Sequence, residues 1–243
     1  MYDISLVLSY SRPKDIPALL KSLESNLCKY QVVMVGDRPI DFSLPDFCKV
    51  IQTPVKPAQC WEIGARFSSG RIISWTADDA EYSEGALDQM VKMLDDEKDH
   101  PIIGAFRTIE NGEEHTGRHL FRQQDVNSPL MAPVGACERG LYMKIGGIDR
   151  RFITGQWEND LSMKVYELGG KVMVCPDAKC FLDHNKKHEG RSTMSRGYDR
   201  GRDILNTIWD SKYQRVSPAE PFSEADILIK SEGENKSCER TWA

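Results

Sequence analysis

Between residues 4 and 94 the chain alternates short, almost wholly apolar runs with stretches whose apolar residues return every three or four positions. The apolar runs are residues 4–10 (ISLVLSY), 31–35 (QVVMV), 50–53 and 71–76. Runs this short and this uniformly apolar predict strands buried on both faces. The first is followed by Arg12-Pro13 and then Ile16, Leu19, Leu20, Leu23 and Leu27, the spacing of a helix with proline in its first turn. Residues 58–68 read as a helix stopped by Gly70, and Ser83 reads as the cap of a helix that turns Ala86, Leu87, Met90, Val91 and Leu94 to one side. Strands and helices in such alternation predict an α/β domain with a mostly parallel central sheet flanked by helices. Ligands of such sheets bind beyond the carboxyl ends of the strands. Ser9-Tyr10-Ser11-Arg12, Gly36-Asp37 and Asp78-Asp79 all stand at predicted strand ends, so they would line one crevice.

The second half is less regular. A strand is predicted over 102–109, a polar loop or hairpin over 110–128, short helices over 141–145 and 157–168, a strand over 172–175 and a helix over 198–213. From Ser217 the chain turns polar and acidic, and its end, SEGENKSCERTWA, is expected to fray. The expected organisation is therefore one domain over 1–215, in two halves over 1–100 and 101–215, followed by a polar tail over 216–243.

Composition narrows the function classes. The net charge of -5 argues against a nucleic-acid partner, which calls for a basic surface. No apolar run approaches the roughly 20 residues that span a bilayer, and MYDISLVLSYSRP enters a strand without the basic lead of a signal peptide. Seven cysteines without a CxxC pair suit a reducing compartment. A cytoplasmic location is expected, in a host's cytoplasm if the source is viral.

The fourth run, RIISWTADDAEYSEGAL, drives straight into Asp78, Asp79 and Glu81. Carboxylates so close repel one another unless a positive charge sits among them. ISLVLSYSRPKDIPALLKSLESN, QVVMVGD, RIISWTADDAEYSEGALDQMV, KIGGIDRRF and WENDLSMKVYELGGKVMVCPDAKCFLDH follow in order between residues 4 and 184. Together they resemble the GT-A glycosyltransferases, close to family 2, whose members use nucleotide sugars and invert the anomeric centre. Ala77 stands where the family's Asp-x-Asp motif has its first acid, Trp61-Glu62 where many members carry Arg-Asn, and Asn159 interrupts the common Glu-Asp pair.

The resemblance implies a metal-dependent inverting transfer of a sugar from a nucleoside diphosphate, UDP on family grounds, to a glycan or other hydroxyl acceptor. It implies that Asp78 and Asp79 hold Mn²⁺ or Mg²⁺, with His184 beside the metal and His188 as its substitute; hard oxygen ligands suit these ions. Asp37 would hold the nucleoside. Ser9, Tyr10, Ser11 and Arg12 would line the base pocket, and Lys56 and Trp61 are further nucleotide contacts. Arg191 or Arg196 would close a lid over the diphosphate. The general base is Glu158 or Asp160, two residues apart and so about 200° apart on a helix. Two rivals remain: the same chemistry on a nucleic-acid base, and a nucleotide-binding scaffold without turnover.

Overall fold

The computed structural model describes residues 1–114, 120, 121, 127–182 and 191–227, with side chains described throughout except at 191–199. Its strands are β1 Tyr2–Ser9, β2 Tyr30–Gly36, β3 Cys48–Gln52, β4 Gly70–Ala77, β5 Ala80–Tyr82, β6 Ile102–Glu110, β7 Glu113–Glu114, β8 Gly135–Glu138 and β9 Lys171–Leu182. A short 3₁₀ turn, Pro13–Asp15, leads into α1 Ile16–Ser22. The other helices are α2 Pro57–Phe67, α3 Ala86–Asp96, α4 Arg139–Lys144, α5 Trp157–Glu167, α6 Arg191–Ile208 and α7 Glu224–Ile227.

The described residues build a single sheet in the order β3–β2–β1–β4–β8–β6–β9–β5, with β7 paired to β6. Its first half is the expected parallel block: β2–β3, β1–β2 and β1–β4 all run parallel. Beyond β4 the sheet is mixed, because β8 is antiparallel to both β4 and β6, β6 is parallel to β9, and β5 returns antiparallel to β9. Strands β5 and β8 are too short to announce themselves by periodicity; each exists because a longer strand offers it an edge.

The register sets the site. Ser9 at the end of β1 pairs with Val35 of β2 on one side and with Ala77 of β4 on the other. The residues that follow all three strands therefore leave the sheet side by side. Neighbouring strands lie about 4.8 Å apart, so the ends of β2 and β4, one on each side of β1, are separated by ~10 Å.

Two apolar layers fix that rim. On one side α2 lays Ala58, Cys60, Ile63 and Ala65 against Val7, Val33, Val35 and Ile73. On the other, α1 and α3 lay Ile16, Leu19, Leu87, Met90 and Leu94 against Ile4, Leu6, Leu8 and Ile72. Full burial of each such side chain stabilises the fold by roughly 1.5–3 kcal/mol.

Three local expectations are corrected. Leu27 is not on the inner face of α1: the helix ends at Ser22, and Leu27 lies almost wholly in solvent. Ser83 does not cap α3. Its hydroxyl accepts the Lys179 N–H at 3.1 Å, Gly85 precedes the helix with φ of 63°, and Asn26 Oδ1 accepts the Leu87 N–H at 2.8 Å. Residues 216–227, assigned to a tail, are docked: Phe222 and Ile227 are buried, Pro221 bridges to Asp149, and Gln59 Nε2 donates to the Asp226 carbonyl. Residues 228–243 lie outside the described residues.

Candidate active site at the ends of three strands

Asp78 and Asp79 leave β4 nearly buried, 3% and 6% exposed. The positive charge that their closeness demands comes from the end of β1. Arg12 Nε donates to Asp78 Oδ1 at 3.0 Å, its Nη2 donates to the same oxygen, and its Nη1 donates to Asp79 Oδ2 at 3.0 Å. Asp78 Oδ2 meanwhile accepts the backbone N–H groups of Ser11 at 2.8 Å and Arg12 at 2.9 Å. Asp78 thus ties the β1 end to the β4 end. Burial works against the charge on Arg12, but Asp78 and Asp79 outweigh it and hold the guanidinium firmly protonated. A fork that bridges two carboxylates suits arginine and not lysine.

The fit to a divalent cation follows from this donor set. Asp78 has both oxygens committed to N–H donors. Asp79 has one oxygen on Arg12 and borders an open depression of about 430 Å³ shared with Glu81, Ile109, Asn111, Gly112, Phe181 and Leu182. Among the described residues no cluster of three His, Cys, Asp or Glu side chains is placed to hold a metal. Mg²⁺ is commonly held by one or two carboxylates together with substrate phosphates, not by an all-protein cage. The residues present fit that mode through Asp79, and Asp78 serves the loop instead. Glu81 stands exposed in β5 on the rim of the depression. His184 and His188 lie outside the described residues, as do the side chains of Arg191 and Arg196.

On the other side of β1, Tyr10 is 1% exposed and its hydroxyl donates to the Arg38 carbonyl at 2.6 Å. Burial and the neighbouring Asp37 carboxylate push its pKa up to about 12. Gly36 makes this packing possible: a Cβ there would sit 2.4 Å from the Tyr10 carbonyl oxygen. Asp37 follows at once, half-buried, its carbonyl accepting from Gln52 Nε2 at 3.3 Å. Ser9 and Ser11 complete this edge, Ser9 half-buried and Ser11 exposed. Lys56, by contrast, is turned toward the docked C-terminal segment. It donates to the Arg150 carbonyl and lies 5.3 Å from the Phe222 ring centroid.

The two candidate bases separate cleanly. Gln156, in the left-handed region at φ 74°, turns the chain into α5. Such a conformation costs a non-glycine residue free energy and gathers at functional sites. Trp157 then wedges between Trp75 of β4 and Trp61 of α2, with ring centroids 6.2 and 5.1 Å away. Trp61 Nε1 donates to the Thr76 carbonyl at 3.0 Å. This contact anchors the start of α5 beside the β4 end, two residues before Asp78. Glu158, the next residue, is half-buried. Asp160 is wholly buried: Trp209 Nε1 donates to Oδ1 at 2.9 Å, and Lys164 Nζ lies 2.8 Å from Oδ2 as an ion pair without hydrogen-bond alignment.

Sequence reasoning places Arg12 in the base pocket and misses its bridge between the acids. The signal available was the unmet charge of Asp78 and Asp79; its partner became visible only once β1 and β4 were known to be neighbours.

No family model and no curated protein matches the chain. Its backbone, however, is similar to solved glycosyltransferase structures. S. aureus TarS 1–349 in complex with UDP-GlcNAc superposes with a TM-score of 0.64 at 17% identity, over 86% of this chain and 67% of that one. GalNAc-T7 with UDP, GalNAc and Mn²⁺ gives 0.62 at 16% identity, over 88% of this chain and 49% of that one. The chain spans about half the length of GalNAc-T7 and 36% of a longer TarS structure. At these identities the likeness is one of fold: the chain has the GT-A fold of glycosyltransferases.

Proposed function

We propose that the chain is an inverting glycosyltransferase that moves a sugar from a nucleoside diphosphate, UDP in the first instance, to an acceptor hydroxyl. The observation that carries the reading is the register of β1 between β2 and β4, which sets the ends of β2 and β4, each followed by an acid, Asp37 and Asp79, ~10 Å apart. A ligand that fills this rim needs a hydrogen-bonding head at one end and a charged group at the other, as a nucleoside diphosphate has. The UDP, UDP-GlcNAc and Mn²⁺ named with TarS and GalNAc-T7 support the choice of nucleotide and ion.

Asp37 accepts hydrogen bonds from the nucleoside, on a strand end held by Tyr10 and Gly36. Asp78 fixes the backbone of Ser11 and Arg12, and Trp61 braces α5. Asp79 would hold the divalent ion; His184, expected as a further ligand, lies outside the described residues. When bound, Mn²⁺ or Mg²⁺ stabilises the charge that develops on the leaving diphosphate. Glu158 takes the proton from the acceptor hydroxyl as its oxygen attacks the anomeric carbon from the face opposite the diphosphate. Glu158 is favoured over Asp160 because Asp160 is buried with both oxygens engaged.

A panel of nucleotide sugars, each with and without Mn²⁺, tests the reading by calorimetry and by release of nucleoside diphosphate. UDP-sugar binding strengthened by Mn²⁺ and lost in Asp79→Ala is expected. Absence of binding by every nucleotide tried would remove the transferase reading.

A further inference from the structure

The far half of the sheet carries an apolar pair that neither apolar layer takes in. Glu81 of β5 pairs with Phe181 of β9, and Phe181 pairs with Ile109 of β6, so the three side chains stand in a row on one face. Phe181 is 40% exposed and Ile109 half-buried, and neither joins the core on either side of the sheet. After β6, Asn111 and Gly112 both take positive φ, 52° and 86°, and turn the chain into β7, as Asn-Gly does in tight hairpins. This tip, the row and Asp79 border the depression of about 430 Å³. Small-ligand sites are of this size, roughly 300–1,000 Å³.

The charge in the depression is of one sign. Asp79 is paired with Arg12, whereas Glu81 is exposed and its carboxylate makes no hydrogen bond or ion pair with another described residue. No lysine or arginine among the described residues lines the depression. Arg107 and Lys179 stand two residues further along the same face, and Arg107 is spent on Glu114 and the Pro176 carbonyl. An open aromatic face beside an unpaired carboxylate suits a molecule that is apolar on its flat sides and rich in hydroxyl donors round its edge. A sugar ring is such a molecule: its C–H groups pack on the negative face of the aromatic ring, and its hydroxyls donate to the carboxylate. An acidic sugar would meet Glu81 at like charge. Resting on the nucleotide reading above, we propose that this depression is the acceptor subsite, that it takes an uncharged sugar ring stacked on Phe181, and that Glu81 selects against acidic sugars. Asp79 borders both this depression and the nucleotide rim, so the two sites are contiguous.

The test is saturation-transfer nuclear magnetic resonance on the full chain with UDP and diamagnetic Mg²⁺ present. The probes are the methyl glycosides of glucose, galactose and N-acetylglucosamine, set against methyl glucuronide, which is anionic, and methyl glucosaminide, which is cationic. At least one neutral glycoside is expected to bind about fivefold or more tightly than the glucuronide, the worth of one like-charge contact in water. Phe181→Ala should weaken that glycoside by about fivefold or more, the worth of one aromatic packing contact, with UDP affinity and melting temperature unchanged. Phe181→Trp keeps the aromatic face and should keep the affinity. Glu81→Gln should bring the glucuronide closer to the neutral glycoside, a change that loss of structure would not produce. No binding by any neutral glycoside, equal binding of the glucuronide by wild type, binding of the glucosaminide alone, or an unchanged glycoside affinity in Phe181→Ala each overturns the proposal and leaves the transferase reading intact. Failure of UDP to bind removes the transferase reading and the acceptor assignment with it.

Discussion

Glu158 and Asp160 share the first turn of α5, yet their side chains meet different surroundings, and substitutions should separate them. Glu158→Gln is expected to slow transfer by about 10²- to 10⁴-fold, the usual worth of a general base, with UDP affinity and melting temperature unchanged. Asp160→Asn removes the charge that faces Lys164, itself only 4% exposed. Breaking one partner of a buried pair costs about 3–5 kcal/mol, so this variant should lose stability in a urea melt. Equal rate losses in both folded variants would place the base elsewhere. Asp37 sits under the same logic. Asp37→Ala should weaken UDP binding by about 1–3 kcal/mol, the range for a hydrogen bond to a charged group, and isothermal titration reads it directly. The general location of these residues was legible because apolar runs end visibly where polar residues begin. Which acid is buried was not, because Trp209 and Lys164, the groups that claim Asp160, reach it through tertiary packing and through a helix face that the sequence leaves unoriented.

Elements were legible in proportion to their length and to how local their causes are. Of the four parallel strands, β1, β2 and β4 are buried on both faces and declare themselves as apolar runs, whereas β3, at the sheet edge, buries only Ile51. By contrast β5 and β8 owe their existence to β9, β4 and β6, and the cap of α3 comes from Asn26, 61 residues upstream of the Leu87 amide that it accepts. The Gly146-Gly147 stretch shows the same dependence: a Cβ at Gly147, where φ is +63°, would lie 2.5 Å from Glu62 Oε2. That carboxylate, wholly buried in α2, accepts from Tyr142, the Ile148 amide and Arg66. Two predictions belong here. Gly36→Ala would force the new methyl against the Tyr10 carbonyl, so the β1 and β2 ends must part. UDP affinity should fall by about tenfold while far-ultraviolet circular dichroism stays native, because a small-to-large change in a packed site costs about 1–3 kcal/mol locally. The second concerns Asp149, which pins the docked C-terminal segment. Burial raises the pKa of its carboxyl, but Arg151 and the backbone N–H groups of Glu220 and Arg151 more than reverse this and leave it below the ordinary range. A carboxyl whose folded pKa is depressed contributes stability that is full above its unfolded value of about 3.9 and is lost as pH falls through the folded value. The melting-temperature gap between wild type and Asp149→Asn should therefore be widest near neutral pH and narrow as pH drops below about 4. A gap constant down to pH 2.5, on this scale about 1.4 units lower, would show that Asp149 acts through its shape and not its charge.

At the scale of the whole molecule, the donor site proposed above draws on segments far apart in sequence: Ser11 and Arg12 after β1, Asp37 after β2, Asp79 after β4 and Glu158 on α5. Only folding through the β1–β4 pairing brings them together, so a ligand that touches several of them senses the native state as a whole and binds the unfolded chain weakly. Such a ligand stabilises by RT ln(1 + [L]/Kd), about 2.7 kcal/mol at a hundredfold excess over Kd. For a chain of this size each kcal/mol raises the melting temperature by about 2–4 °C. UDP with Mn²⁺ at that excess should therefore raise it by about 5–11 °C. On the proposed reading uridine would reach Asp37 but not Asp79, so at the same uridine concentration its higher Kd should give a smaller shift. The order of the shifts carries the argument. UDP with Mn²⁺ above UDP alone above uridine means that both ends of the rim are in use at once. A uridine shift as large as that of UDP with Mn²⁺ would mean that the β4 end takes no part in binding and that the acids serve only to hold β1.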